Sequence, residues 1–154
     1  MAVSELNTEA PGLIEDVYRD QRLGLIRLAF LLTGARDQAE DIVQSAFEAA
    51  QPRWDELDDP RAFLRRVVVN RAQDLHRRRY RPRPRAEPPV TQIPELDETW
   101  AELRRLPDRQ RAVVVLRFYE DLPLTDIARL LDRPEGTVRS DLHRALAQLR
   151  RTLA

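Results

Sequence analysis

Residues 122–151 read LPLTDIARLLDRPEGTVRSDLHRALAQLRR, and this stretch decides the architecture of the C-terminal half. Leu124, Ile127, Ala128 and Leu131 recur at i, i+3, i+4 and i+7, the buried stripe of a short helix. Pro123 suits the start of that helix, where a missing N–H costs nothing. Asp132-Arg133 makes the turn, and Pro134 opens a second helix in the same way. Val138, Leu142, Ala145, Leu146 and Leu149 form the inward stripe of that second helix. Arg133, Glu135, Thr137, Arg139, Ser140, Asp141 and Arg144 are left facing out near its start. A short helix, a tight turn and a longer helix with polar and basic first turns is the helix-turn-helix plan. Its second helix enters the major groove of DNA. The pattern also fits an ordinary helical hairpin with a charged, solvated face.

The whole chain has 154 residues, room for one ordinary domain or two small ones. Hydrophobic residues make up 42%, aromatics only 6%, and there are 4 glycines, a balance that favours helices over sheets. Without cysteine there is no disulfide framework and no thiolate metal site. The longest apolar runs, such as Leu28 to Leu32, are too short to cross a bilayer. The opening MAVSELNTEAPG carries acids and lacks the apolar core of a secretion signal. A cytoplasmic protein without membrane insertion is expected.

Net charge is zero, but the charges are segregated. Residues 1–60 hold 5 Arg and 13 acids, whereas residues 61–85 hold 10 Arg and one acid. Residues 86–103 are net −5, and residues 104–154 hold 11 Arg and 7 acids. Two basic blocks suggest two nucleic-acid surfaces, and the acidic block a surface for something else. All 26 basic residues are Arg. Arginine suits bidentate phosphate and guanine contacts, and a GC-rich coding sequence produces the same bias.

In the N-terminal half, Leu13 to Thr33 reads as one long helix or two joined ones, stopped at Gly34 by a left-handed cap. Asp37 is expected to cap the next helix, with Glu40 completing a capping box. Ala39, Ile42, Val43, Ala46, Phe47 and Ala50 give that helix a clean buried stripe. Its other face carries Glu40, Asp41, Gln44, Ser45 and Glu48, either a solvated face or a docking surface for a basic partner. Gln51 to Asp59 is a loop in which Trp54 packs as a plug, and Asp59-Pro60 starts a third helix. Along that helix Phe63, Leu64, Val67, Val68, Ala72 and Leu75 point inward. Arg66, Asn70, Gln73, Asp74 and Arg77 lie outward, with Arg65, Arg78 and Arg81 beside them. Each Arg that neutralises a phosphate adds salt-dependent affinity. Asn70 and Asp74, one turn apart within the basic field, are placed to read bases. A general DNA- or RNA-binding helix fits the same residues. His76 is an exposed imidazole in an Arg run, a further polar contact and not a metal ligand.

Several of these segments, in this order, resemble one family. Glu135-Gly136-Thr137-Val138-Arg139-Ser140, followed by Leu142-His143-Arg144-Ala145-Leu146, resembles the DNA-reading helix of region 4 in bacterial RNA polymerase sigma factors, above all the extracytoplasmic-function group. Ala39-Glu40-Asp41-Ile42-Val43-Gln44 with Ala46-Phe47 resembles region 2.2. Arg65-Arg66-Val67-Val68-Val69-Asn70, then Asp74 and Arg77-Arg78-Arg79, resembles regions 2.3 and 2.4. Leu106 to Val113, LPDRQRAV, resembles region 4.1. The resemblance covers residues 13 to 151 apart from the linker. It implies that Glu40, Asp41, Gln44, Ser45 and Glu48 dock on the clamp helices of the largest subunit of core RNA polymerase. It further implies that Arg66, Asn70, Gln73, Asp74, Arg77 and Arg78 recognise and open the −10 promoter element. Arg133, Glu135, Thr137, Arg139, Ser140, Asp141 and Arg144 would read −35 DNA. In this group restraint often comes from an anti-sigma protein covering the same surfaces. Asp141 stands where the family commonly has a basic or amide residue; its carboxylate either lowers affinity for phosphate or accepts from cytosine. Pro123 and Asp126 also depart from the usual helix opening.

Pro82, Pro84, Pro88, Pro89 and Pro94 make the connecting segment an extended polyproline stretch, able to span roughly 43 Å at about 3.1 Å per residue. After it, Leu96, Trp100, Leu103 and Leu106 form a helix stopped by Pro107, and Asp108 caps another carrying Ala112, Val115, Leu116 and Tyr119. The expected plan is all-α: a tail (1–12), a region 2-like domain (13–81), a Pro-rich linker (82–95) and a region 4-like helix-turn-helix domain (96–154). A stand-alone helix-turn-helix regulator is the alternative. An enzyme finds little support: no Gly-rich phosphate loop or metal-ligand cluster is present, and no cofactor is implied.

Overall fold

The computed structural model describes residues 13–79 and 97–153, and every regular element among them is helical. The expected tail (1–12) and proline-rich linker (82–95) fall outside the described residues. Helix α1 (Ile14–Thr33) is amphipathic at its start and buried over Leu25, Ile26 and Leu28 to Thr33, because its second half runs through the centre of the molecule. Gly34 ends it with φ 76° and its N–H on the Phe30 carbonyl at 2.7 Å, the left-handed cap that the sequence foretold. Helix α2 (Arg36–Ala50) buries the expected stripe from Ala39 to Ala50. It begins earlier than a cap at Asp37 would allow. Ala35 is the extended cap residue, and Asp37 lies in the first turn, where its charge suits the helix N-terminus.

The expected loop after α2 is a 3₁₀ turn (Gln51–Glu56) whose Trp54 packs half-buried against the core. Helix α3 (Pro60–Arg79) starts as expected: Asp59 Oδ1 accepts from the Ala62 N–H at 3.1 Å. Phe63, Leu64, Val68, Val69 and Ala72 are its buried contribution, packed on both α1 and α2.

The C-terminal half comprises α4 (Asp97–Leu103), α5 (Asp108–Val114), a π-helical turn (Val115–Tyr119), α6 (Leu124–Leu131) and α7 (Glu135–Leu153). Pro107 occupies the cap of α5, with Asp108 one residue inside. The π turn admits an extra residue, closed by Glu120 N–H on the Val115 carbonyl at 3.2 Å. That shifts the helical phase, so Tyr119, expected inward, is 39% exposed beside Phe118. Between α6 and α7 the chain turns at Asp132, left-handed at φ 52°, with Arg133 N–H on the Ala128 carbonyl at 3.0 Å. Ile127 and Val138 are fully buried where the two helices cross. This is the helix-turn-helix.

The two halves share one core. Buried residues from α1, α2 and α3 form a single apolar cluster with Trp100, Leu103, Leu106, Leu116, Leu122 and Ile127 of the C-terminal half. Helix α3 lies against α6, and α1 against α5 and the π turn. Trp100 carries much of the junction: its ring sits 5.0 Å from that of Phe30, beside Gly34, with the Arg111 guanidinium 5.6 Å from its centre.

Candidate nucleic-acid interface

Three surfaces hold the residues singled out from sequence. On α2, Asp41, Gln44 and Glu48 are exposed, while Glu40 and Ser45 are half-buried. Glu40 is tied to Arg36 at 3.3 Å and Gln44 donates to Glu48 at 3.4 Å, so the acidic face is orderly but open to a partner. An open groove of about 490 Å³ runs beside it, lined by Ile14, Tyr18, Gln44, Phe47 and Glu48. Phe47 itself is core, its ring edge-on to Tyr18 at 4.8 Å.

On α3, Arg66, Asn70, Asp74, Arg77 and Arg78 are exposed and Gln73 is half-buried. Their spacing puts Arg66, Asn70, Gln73 or Asp74, and Arg77 on one helix face. Arg66 stacks over the Phe63 ring at 5.5 Å. Asp74 lies 3.6 Å from Arg77, an exposed pair that water screens and a phosphate can easily displace.

On the helix-turn-helix, Glu135, Arg139, Ser140 and Arg144 are exposed at the start of α7, and Thr137 is half-buried. Arg139 donates to Glu135 at 3.1 Å. Arg133 is only 16% exposed at its side chain. Burial and the nearby Arg109 lower its pKa, with Asp141 acting in the opposite sense. Asp141, expected to face out, is instead turned inward and only 6% exposed. It continues the inward line of Val138 and Ala145, three residues after the first and four before the second. Arg109 and Gln110 of α5, absent from the sequence-derived set, line a groove of about 500 Å³ with Thr137, Ser140, Asp141 and Arg144.

A fourth cluster, at the junction of the halves, was not foreseen. The last carbonyls of a helix have no partner within it. That of Leu32, near the end of α1, receives His76 Nε2 at 2.7 Å and Arg111 Nη2 at 3.2 Å. The Arg111 guanidinium at the helix C-terminus also suits its dipole. His76, expected to be exposed, is thus turned inward, with 11% of its side chain accessible. Its Nδ1 lies 3.2 Å from Asp108 Oδ2, an ion-pair distance short of hydrogen-bond alignment. Arg111 donates to Asp108 Oδ1 at 2.7 Å. Elsewhere along the junction Arg65 pairs with Glu120 at 3.6 Å. Burial raises the Glu120 pKa despite that arginine.

The contact with His76 first, then the charge of Arg111, holds the Asp108 carboxyl at about 2 against the opposing cost of burial. A depressed carboxyl stabilises the fold above its unfolded pKa of about 3.8 and loses that contribution as pH falls towards 2. Thermal unfolding should therefore show wild type above Asp108→Asn near neutral pH, with the gap closing between pH 4 and pH 2. Because 47% of the side chain is exposed, the gap should be modest. A constant difference across that window would refute the pairing.

Among the described residues no group of His, Asp and Glu is arranged to hold a metal, and no helix is long and apolar enough to cross a membrane. A family model described as Sigma-70 region 2 matches residues 15–81, and one described as Sigma-70, region 4 matches residues 96–149. The chain is 34% identical over 154 residues to the RNA polymerase sigma-E factor of Streptomyces coelicolor, covering 90% of this chain and 85% of that protein. It is 28% identical over 165 residues to the ECF RNA polymerase sigma factor SigW of Bacillus subtilis, covering 91% and 87%. Among solved structures it resembles the sigma factor RpoE of Bartonella quintana, crystallised with the anti-sigma factor NepR. That TM-score is 0.68 at 22% identity over 90% of this chain and 97% of the other, a likeness of fold. CnrH, solved with the cytosolic domain of CnrY, gives a TM-score of 0.65 at 26% identity, over 91% and 86%.

Proposed function

The chain belongs to the sigma-70 family of RNA polymerase sigma factors, and from that membership we propose how its surfaces divide the work of promoter recognition. A stand-alone helix-turn-helix regulator needs only the C-terminal half, and the region 2 match over residues 15–81 sets it aside. The exposed acidic face of α2, Glu40 through Glu48, docks on the clamp helices of core RNA polymerase. Residues 13–81 act as the −10 unit. Arg66, Arg77 and Arg78 hold phosphates there, while Asn70, Gln73 and Asp74 meet bases as the duplex opens. Residues 96–154 act as the −35 unit, with Glu135, Thr137, Arg139, Ser140 and Arg144 of α7 on DNA, flanked by Arg133. Residues 82–95 join the two units.

The protein forms and breaks no bonds in this scheme. Binding energy from phosphate contacts and base capture opens the duplex, and no cofactor takes part. It acts in the cytoplasm, where polymerase and promoter are. RpoE of Bartonella quintana was crystallised with an anti-sigma factor. A regulator of that kind, covering the α2 and helix-turn-helix faces, fits this chain too.

The observation that carries the reading is the pairing of an exposed, arginine-rich α3 face with an exposed α7 N-terminal half in one chain. The test is reconstitution. Purified protein added to core RNA polymerase should form a holoenzyme that starts transcription at a defined subset of a promoter library. Failure to bind core, or binding without start-site choice, would overturn it. Asn70→Ala should leave core binding intact and change which −10 sequences are used, by about 1–3 kcal/mol of discrimination at one base. Run-off transcription with wild-type preferences would exclude Asn70 as a reader.

A further inference from the structure

Asp141 is an acid in the reading helix, yet it lies too deep to read anything. Its side chain is 8% exposed, and Oδ2 has no hydrogen-bond partner. Two arginines from different elements converge on that oxygen: Arg109 Nη2 of α5 at 3.8 Å, and Arg133 Nη1 of the turn before α7 at 3.7 Å. A buried carboxylate is tolerated only when it is paired, and these two cations are what pair it. Neither contact is short enough for a hydrogen bond. The exposed Arg109 guanidinium therefore remains available to another acceptor, whereas Arg133 Nη1 is buried beside the carboxylate and has no hydrogen-bond partner. Arg109 is 60% exposed at its side chain and borders the groove shared with Thr137, Ser140 and Arg144.

Resting on the assignment of α7 to −35 DNA, we propose that Asp141 is a positioning residue. Its buried carboxylate, backed by the largely buried Arg133, holds the exposed Arg109 beside the reading helix, where Arg109 faces backbone phosphate. It touches no DNA itself. One carboxylate between two guanidiniums leaves the cluster with a net positive charge, so it still attracts phosphate. The arrangement uses a buried acid to aim a cation supplied by another helix.

The proposal and its rival differ in sign. If Asp141 were simply a negative charge near DNA, neutralising it would tighten binding. If it aims Arg109, neutralising it should loosen binding. Holoenzymes carrying D141N, R109A, the D141N/R109A pair and R144A should be compared for affinity on promoters varied one −35 base at a time. We expect D141N to weaken binding several-fold, evenly across all −35 sequences. We also expect the double variant to be little worse than R109A alone, because the two act as one unit. Tighter binding by D141N, a changed ranking of −35 bases, or additive losses would each overturn the proposal. R144A separates it from the reading beneath: if R144A binds like wild type, α7 is not on DNA and both fall. Should D141N fail to fold, R109A carries the test. It must lower the salt slope by about one with the base ranking intact, and an unchanged slope sinks the idea.

Discussion

Trp100→Ala is expected to lower the unfolding temperature of the chain by roughly 6–20 °C, the largest stability loss of any substitution considered. Removing a buried tryptophan costs about 3–5 kcal/mol through lost transfer energy and the cavity left behind. Each kcal/mol shifts the midpoint by about 2–4 °C in a chain of this size. Trp100 is 7% exposed and packs on Phe30, Gly34 and Arg111, so its loss strikes both halves together. Calorimetry should show the whole transition moving down, or splitting as the halves part. A midpoint within about 2 °C of wild type would mean that the common core contributes little.

The second large effect is on DNA and should leave the fold intact. Replacing Arg66, Arg77 and Arg78 together by alanine removes three exposed guanidiniums from α3. If each neutralises one phosphate, the dependence of log affinity on log salt should flatten by about 0.9 per contact on duplex and about 0.7 on a single strand. A holoenzyme bearing the triple variant should therefore lose about two to three units of slope. It should also fail to open promoters at physiological salt. Stability should barely change. The Asp74–Arg77 pair is exposed, and the Arg66–Phe63 stack contributes only about 0.5–1 kcal/mol. Salt titration of promoter binding reads the result directly, and an unaltered slope would take α3 off the DNA.

What the sequence disclosed, and what it hid, follows from the range of the interactions involved. The helix-turn-helix, the α2 stripe, the Gly34 stop and the Asp59 cap all depend on neighbours within a turn or two, where periodicity and capping chemistry apply. His76 looked like one more polar group in an arginine run, because its partners are Leu32 and Asp108, far away along the chain. Arg65 looked free for the same reason; Glu120 is its partner. Asp141 was legible in principle. It falls three residues after buried Val138 and four before buried Ala145, the spacing of an inward face, but an acid at such a position is easily assigned to solvent. The phase slip at Val115–Tyr119 carries no local signature, so helical spacing groups Tyr119 with Ala112, Val115 and Leu116, while the extra residue turns it out.

The contact between α3 and α6 sets a geometric condition on any promoter complex. The centres of elements at −10 and −35 are about 25 base pairs apart, roughly 85 Å of duplex at 3.4 Å per step. Helices that touch cannot sit at both ends of such a length. If α3 and the helix-turn-helix take the two elements as proposed, occupying both requires the halves to come apart, and the work of parting them is subtracted from the affinity for any promoter that uses both.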